Sequence, residues 1–430
     1  MKQKSNFLLL ILFLSYELYP QQIQDIEKLF EEETKKTTTT AQDRNEDFTG
    51  KPSYSQFQAF NRTWNLDIMA ALDSVFEWDN ENPNSTKRQY FIRTGEIGFY
   101  SAIDQLAYGT FTLAAHNENG KLFPEVHEAF FLFPATLIPR TNIRLGRMFP
   151  DVGRLNGIHQ HDWPFTTTPI VHQNLLDYEG ILDTGVEFRY LFPWDFWQEL
   201  SIGIFNGKIF GHAHDEGEIK QNPLYTLHLK QFFPITDFWG TEFGFSYLRW
   251  HPDTNPNKWN NQFGFDFYLK YKKNKLKSFI YQTEVWYRET KERTKERWKY
   301  FVKSNNEFKT LDDFITNLEF DPPKKFEILE RNSGVYQFFQ YQILEQWFIG
   351  YRYDYYYIPS KEKINTYTLQ KEYQKNGLEE NSLILTYKPS EFSYFRLQGS
   401  SRIDFETGKR IWQYFFQAVF IIGVHPPHKY

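Results

Sequence analysis

From about residue 64 onward, polar and apolar residues alternate in runs of roughly 9 to 14 residues, which is the period of a β-strand whose two faces meet different surroundings. In 263–271, one face carries Phe263, Phe265, Phe267, Leu269 and Tyr271, and the other carries Gly264, Asp266, Tyr268 and Lys270. The runs predict sixteen strands, at approximately 64–76, 88–101, 104–116, 125–134, 140–148, 181–192, 196–206, 222–232, 237–250, 260–272, 276–289, 332–342, 345–357, 381–389, 392–405 and 410–424.

The connections between these runs alternate in length, which favours one architecture over another. Short turns join the strands in pairs, whereas longer stretches such as 117–124, 149–180, 207–221, 290–331 and 358–380 lie between the pairs. A soluble β-sandwich also alternates, but with shorter strands and an apolar face turned inward. Short turns at one end and long loops at the other are typical of outer-membrane barrels. The sequence therefore predicts an all-β, transmembrane antiparallel β-barrel of sixteen strands, with short periplasmic turns and long outer loops.

Composition agrees with strands that face both lipid and water. Aromatic residues make up 20% of the chain, with 44 Phe, 28 Tyr and 12 Trp, yet the mean hydropathy is −0.62. The net charge of −5 gives no bulk basicity, so nucleic acid is not an expected partner. The absence of cysteine excludes disulfides, lipid-modified cysteine and thiolate metal sites.

The N-terminal region predicts export. Lys2 and Lys4 precede the apolar run 7–14, which is too short for a membrane-spanning helix and is typical of a signal peptide, here assigned to residues 1–20. Residues 21–52 read as a periplasmic lead-in with a short amphipathic helix in 21–36, or alternatively as an oligomerising coil. The barrel is expected over 53–430, in the outer membrane. The alternating last strand and the aromatic terminal residue Tyr430 resemble the signal that the barrel assembly machinery reads.

The stretch 149–180 is long for a connection within a folded domain, and such loops are usually functional or disordered. It carries too many apolar groups for a solvated tail, among them Phe149, Trp163, Phe165, Ile170 and Leu175. As the connection between the fifth and sixth strands it is the third outer loop, the position that constricts general sixteen-stranded porins. We predict that it narrows the pore with Arg147, Asp151, Arg154, Asn156, His159, His161, Asp162, His172, Asp177 and Glu179.

If the aromatic faces meet lipid, the opposite faces line the lumen. The residues predicted to face it are Glu187, Arg189, Glu242, Asp266, Arg352, Asp354, Arg396 and Arg402. Their charges are mixed in sign, so no single-sign selectivity filter is evident.

The histidines offer two interpretations. Two sets could supply nitrogen and oxygen ligands for zinc: His159, His161 and Asp162 with His172 and Asp177, or His212 and His214 with Asp215 and Glu216. Alternatively, these side chains are solvated or hydrogen-bonded to the loop, or their protonation near neutral pH tunes the pore.

One region resembles a known family. Leu145-Gly-Arg-Met-Phe-Pro-Asp-Val-Gly-Arg-Leu-Asn156, His159-x-His161-x-x-Pro164-Phe165, Pro169-x-Val171, Asn174-x-Leu176, Glu179-Gly180 and Asp183-x-Gly185 are similar to bacterial outer-membrane proteins often labelled zinc-regulated TonB-dependent receptors, which are related to phosphate-selective porins. The resemblance covers roughly 124–207, and Thr166-Thr-Thr-Pro169 replaces an Asp-Arg-Pro run of the family. The roughly thirty residues between leader and first strand leave no room for a receptor's plug. The resemblance therefore implies porin-like transport more firmly than receptor function.

These observations favour a passive channel for small solutes or ions that is not an enzyme and requires no cofactor. The alternatives are a zinc-associated uptake channel or receptor that uses the loop histidines, and a barrel enzyme or adhesin. Expected partners are outer-membrane lipid, the transported solutes and the barrel assembly machinery, with a homotrimer as the oligomeric state to test.

Overall fold

The computed structural model describes residues 56–59, 62–80, 89–118, 121–134, 138–207, 223–252, 257–274, 277–295, 299–302, 318–321, 325–364, 369–372 and 376–423. The predicted leader, the predicted helix in 21–36, and the set of His212, His214, Asp215 and Glu216 lie outside these residues. None of the helices in the described ranges is long and apolar enough to cross a membrane.

Sixteen strands form the barrel, and we number them in chain order. They are β1 (Asp67–Asp79), β2 (Gln89–Ala102), β3 (Tyr108–Glu118), β4 (Lys121–Pro134), β5 (Thr141–Met148), β6 (Asp183–Leu191), β7 (Trp197–Phe205), β8 (Leu224–Thr236), β9 (Trp239–Trp250), β10 (Lys258–Asn274), β11 (Lys277–Lys295), β12 (Lys325–Leu344), β13 (Trp347–Ile364), β14 (Asn376–Ser390), β15 (Ser393–Asp404) and β16 (Arg410–Gly423). Each overlaps one of the sixteen predicted runs, so the predicted strand number is confirmed.

The sheet closes on itself. Each strand pairs antiparallel with its neighbours along the chain, and β16 returns to pair with β1, where Ala418 lies opposite Ser74. The Ser74 hydroxyl donates a 3.1 Å hydrogen bond to the Ala418 carbonyl across this seam. Closure gives each of the sixteen strands a paired neighbour on both sides within the described residues, which is the condition for a sheet to stand in hydrocarbon. The predicted all-β antiparallel barrel is therefore confirmed.

Several strands are longer than predicted. β11 and β12 stay paired as far as Lys295 opposite Lys325, and the end of β13 pairs with a short strand, Leu369–Glu372. Another short pair, Lys299–Val302 with Leu318–Asp321, lies in the same stretch that was predicted as the loop 290–331. Backbone pairing does not require apolar side chains, so hairpins continue beyond the alternating part of each strand. The connection predicted at 117–124 is a tight turn, because Glu118 pairs with Lys121.

A separate, smaller unit includes a hairpin and the residues Pro193–Phe196. The hairpin pairs Gln56–Ala59 with Arg62–Asn65.

The outer face of the barrel is apolar and the inner face is polar. On β9 and β10, the Phe245 and Phe265 rings pair at 5.2 Å, and Phe263 is half exposed. Asp266, which directly follows Phe265, is buried on the inner face. Soluble monomers rarely expose apolar patches beyond a few hundred Å². A continuous band of such side chains around a closed barrel is the surface that hydrocarbon requires.

We expect Leu383→Arg to destabilise the barrel in lipid bilayers by about 2–4 kcal/mol. Leu383 is 63% exposed, lies midway along β14, and alternates with the buried Ser382 and Ile384. Denaturant unfolding from lipid vesicles measures the effect. The control is Leu344→Arg, at an equally exposed position that ends β12 beside a turn, with an expected cost of about 0–1 kcal/mol. If both substitutions changed stability by less than about 0.5 kcal/mol, as at an ordinary water-facing surface, the assignment to lipid would be wrong.

Candidate functional site

The connection between β5 and β6, residues 149–182, passes through the barrel interior, and we call it the inner segment. It contains a 3₁₀ turn, Gln160–Asp162, and one short helix, α1 (Ile170–Leu175). The sequence showed no helical repeat here, because six residues make fewer than two turns.

The inner segment has its own hydrophobic core. Trp163, Phe165, Ile170, Val171 and Leu175 are shielded completely or almost completely from solvent. They pack among inward-facing apolar side chains of the wall, which include Leu248, Trp250, Trp286, Tyr336, Phe338 and Tyr356. These wall aromatics lie on the inner faces of their strands, opposite the lipid-facing band. They face inward because the segment supplies apolar side chains for them to bury against.

Two glycines let the segment fold closely against itself and the wall. Gly153 has φ 60°, and a Cβ there would lie 2.5 Å from a Glu284 oxygen. Gly180 has φ 95°, and a Cβ there would lie 2.4 Å from the Asn156 side-chain oxygen. Both positions need the left-handed backbone and the small size of glycine.

Asn156 ties the two ends of the segment together. Its amide nitrogen donates a 2.8 Å hydrogen bond to the Pro150 carbonyl, and its amide oxygen accepts a 2.6 Å bond from the Ile181 backbone. The side chain is completely buried. Loss of either bond would leave a buried polar group unpaired, at a cost of about 1–3 kcal/mol.

A single carboxylate on β11 is the central anchor for the segment. Glu284 is completely buried and accepts a 3.0 Å hydrogen bond from the Leu155 backbone N–H. It also lies 3.2 Å from His172 Nε2 on α1. Wall groups complete the arrangement, since Trp286 Nε1 and the Tyr336 hydroxyl each donate at 3.0 Å. Glu284 therefore fixes both the start of the segment and its helix to the same strand.

Cationic side chains on β13 and β15 bind the backbone of the middle part. Arg396 donates a 2.9 Å hydrogen bond to the Trp163 carbonyl. Arg352 donates to the Thr167 carbonyl and, at 2.9 Å, to its hydroxyl. The neighbouring Asp354 accepts a 3.0 Å bond from the first N–H of α1, at Ile170. From β2, Arg93 donates a 2.5 Å bond to the Thr166 carbonyl.

Polar and charged groups of β6, β7 and β8 bind the beginning of the segment. The Asp151 carboxylate accepts hydrogen bonds from Lys230 at 3.0 Å and from Ser201 at 2.7 Å. Its backbone N–H donates a 2.7 Å bond to Glu187, which also accepts from Arg144 and Arg189. On β9, Glu242 pairs with Arg154 at 3.1 Å. The segment thus contacts strands on widely separated parts of the closed wall, which is possible only if it crosses the interior.

Four histidines and five carboxylates form one continuous group, which we call the histidine–carboxylate cluster. Its members are His116, His127, His159, His161, Glu96, Glu125, Glu128, Glu179 and Asp162. His159 lies between two wall carboxylates, with Nδ1 2.8 Å from Glu96 and Nε2 3.1 Å from Glu128. His161 lies 3.3 Å from the other Glu96 oxygen and 3.0 Å from Asp162.

The rest of the cluster joins β3 and β4 to the end of the segment. His116 lies 3.1 Å from both Glu125 and Glu179, and His127 lies 3.3 Å from the second Glu179 oxygen. The His127 ring lies 5.0 Å from that of His159 and 5.3 Å from that of His116. The segment and three wall strands therefore meet in one buried polar network.

In this network, burial and neighbouring charges shift the pKa values of the side chains in opposite directions. Burial lowers the pKa of His161, but Asp162 and Glu96 outweigh it and raise that pKa to about 10. The pKa of His159 is likewise raised well above its usual range against burial, by Glu96 and Glu128. Burial raises the pKa of Glu179, yet His116 and His127 hold it far below its usual range. Both shifts in pKa arise from the close approach of the segment histidines to the carboxylates around them.

The predicted constriction residues lie in different environments. Asp151, Arg154, Asn156, His159, His161, Asp162, His172 and Glu179 make the interior contacts described above. Arg147 belongs to β5, and its Nε donates a 2.8 Å bond to the Val126 carbonyl. Asp177 shapes a turn, with φ 112° and its carboxylate 2.5 Å from the Tyr178 N–H.

Each residue predicted to face the lumen makes a polar contact inside the barrel. Glu187, Arg189, Glu242, Arg352, Asp354 and Arg396 make the contacts given above. Asp266 lies 3.2 Å from His228, and Arg402 donates a 2.8 Å bond to Glu380. Sequence reasoning missed Glu284, Lys230, Glu96, His116 and His127. An acidic residue in the middle of a strand, as at Glu284 and Glu96, is the signal that could have found two of them.

The chain is similar to known proteins both in sequence and in structure. No model of a known protein family matches the chain. An uncharacterised protein of Aquifex aeolicus (strain VF5) is 22% identical over 366 residues, covering 80% of this chain and 71% of its own length. Among solved structures, a loop L8 deletion mutant of OmpT, an outer membrane protein of Vibrio cholerae, matches with a TM-score of 0.50 at 10% identity, over 84% of this chain and 99% of that one.

A second solved structure, the outer membrane channel DcaP of Acinetobacter baumannii, matches with a TM-score of 0.48 at 10% identity, over 85% of this chain and 99% of that one. These similarities do not show the TonB-dependent receptor family that the sequence resemblance implied. What the OmpT likeness shows, together with the strand pairing, is the fold: this chain is a closed sixteen-stranded antiparallel β-barrel of the kind found in outer-membrane proteins.

Proposed function

We propose that this protein is a porin-like channel of the outer membrane, through which small solutes or ions pass passively. A barrel of sixteen strands is wide enough for an aqueous channel. Its apolar outer band suits lipid, and its inner face carries many charged and polar groups. Assembly by the barrel assembly machinery and association into a homotrimer remain predictions.

The inner segment is the proposed constriction. The observation that carries this proposal is that the segment bonds to opposite parts of the wall, through Glu284 of β11 and Glu96 of β2. Solutes must then pass beside a tightly packed segment, so the pore is much narrower than the barrel. We expect passage to be limited to small solutes, because the packed segment occupies part of the barrel interior.

The charges near the segment argue for weak ion selectivity. The interior carries both arginines, such as Arg352 and Arg396, and carboxylates, such as Asp354 and Glu242. Several of these groups form ion pairs: Asp354 pairs with Arg352, and Glu242 pairs with Arg154. Neither sign dominates, so neither anions nor cations are excluded.

Planar-bilayer recording tests the channel. Purified protein should insert with discrete conductance steps, and the reversal potential in a salt gradient should stay close to zero. A folded protein that forms no pore, and gains none when the inner segment is removed, would rule out a channel.

A second candidate function is metal-associated uptake, in which the cargo passes the segment histidines. It is favoured by the position of His159 and His161, both beside the same carboxylate, Glu96. Vesicles containing the protein should then take up zinc faster than magnesium, and His159→Ala/His161→Ala should remove the difference. Equal uptake rates for both ions in the unmodified protein would exclude this function.

A further inference from the structure

We propose that the histidine–carboxylate cluster binds one divalent first-row transition-metal ion, for which zinc is the natural probe, with His127 as the central ligand. Two sets of three potential ligands lie in the cluster: Glu96, His127 and His159, and His116, Glu125 and His127. In each set the ligand atoms lie within 4.8 Å of one another. This site goes beyond the channel proposal and does not depend on it.

His127 is the observation that points to a ligand. It is 2% exposed, and neither ring nitrogen makes a hydrogen bond to any residue that the structure describes. Nε2 lies 3.3 Å from a Glu179 oxygen, but without hydrogen-bond geometry. Buried polar groups nearly always have partners, and an unsatisfied one costs about 1–3 kcal/mol. A metal ion among the surrounding ligands would give this imidazole a direct bond in addition to its contact with Glu179.

A β-bulge in β4 places the His127 side chain in the cluster. The pairing register of β3 and β4 shifts by one residue at this point. Thr112 pairs with Glu128, but the next residue, Leu113, pairs with Val126. His127 is therefore the extra, unpaired residue of a β-bulge. Because of the bulge, the consecutive side chains of His127 and Glu128 both contact interior groups. Bulges next to functional sites commonly re-aim a side chain in this way.

The ligand types select the class of ion. Each set offers two imidazoles and one carboxylate, a combination that suits zinc and its neighbours in the first transition row. Magnesium and calcium prefer oxygen ligands throughout, so a site with two nitrogens discriminates against them. Both sets share His127, and a neutral imidazole has one nitrogen free to ligate, so the cluster would hold one ion at a time.

Further carboxylates surround the proposed ligands. Glu128 lies 3.1 Å from His159 Nε2, and Glu179 lies 3.1 Å from His116 Nδ1. Such partners orient an imidazole for ligation through its other nitrogen and increase its basicity. Glu96 and His127 belong to the wall, whereas His159 belongs to the inner segment. An ion in this set would therefore link the segment to the barrel.

Equilibrium dialysis tests the site on the full-length folded protein after treatment with a chelator. We expect one zinc ion per barrel and no binding of magnesium at the same concentration. His127→Gln should weaken zinc binding by more than about tenfold, since even loss of an outer-shell partner costs at least that much. Cobalt as a substitute should give visible absorption bands in the original protein and not in the variant.

The matched control is His228→Gln, another buried strand histidine beside a carboxylate, Asp266. It should bind zinc like the original protein, which separates ligand loss from general damage. Heat-modifiable mobility on gels verifies that each variant is folded. Zinc binding equal in His127→Gln and the original protein, or no zinc binding by the folded original protein, would overturn the proposal. Neither result depends on whether the barrel conducts.

Discussion

Replacement of residues 150–180 by a short glycine–serine linker should increase the single-channel conductance severalfold. The segment places a packed core around Trp163 and Phe165 inside the barrel, so its removal should widen the aqueous path toward the width that sixteen strands allow. The barrel can still close, because Met148 and Asp183 pair directly and a few residues suffice to join them. Planar-bilayer recording of the purified variant measures the change.

The control replaces another connection at the same end of the barrel. Residues 405–409 join β15 to β16 and are exposed, so the same linker there should leave the conductance unchanged. The constriction role would be disproved if the deletion variant folded normally but conducted no better than the original protein.

Trp163→Ala should weaken docking of the inner segment by about 3–5 kcal/mol, the usual cost of truncating a completely buried large aromatic side chain. The Trp163 ring packs at 6.0 Å from Phe165, and its indole N–H donates a 2.9 Å hydrogen bond to the Ile158 carbonyl. Its truncation leaves a cavity in the segment core and an unpaired carbonyl. Hydrogen exchange followed by mass spectrometry should show faster exchange in peptides from 155–176, with the barrel strands still protected.

The control substitution is Trp412→Ala, which removes a tryptophan that is 45% exposed on β16. Exchange in 155–176 should then match that of the original protein. Equal protection of the segment in both variants would mean that its buried core does not hold it in place.

The barrel was predictable because alternation is a local property. A strand between lipid and an aqueous or polar interior must change character at every residue, and runs such as 263–271 show this directly. The ends of the strands were less predictable. β11 and β12 continue to Lys295 and Lys325 because hydrogen bonding between backbones persists where the side chains no longer alternate.

The location of the candidate site was also predictable, since the segment is too long and too apolar for an ordinary turn. Its partners were not. Glu284 binds Leu155 from a position 129 residues away, and Arg396 binds Trp163 from 233 residues away. No local pattern encodes such pairs, because the closure of the barrel brings them together.

The sequence by itself determined the sixteen-stranded barrel, which face of each strand is apolar, and the position of the inner segment. Each of these follows from residue periodicity and connection length. Only the tertiary structure decided which wall side chains the segment meets. Inward-facing Trp286 and Tyr336 break the polar-inside rule because an apolar segment covers them. His127 and Glu128 break the alternation rule because a register shift with β3 places both inside. Both exceptions depend on what lies opposite a residue in space, and the sequence does not record that.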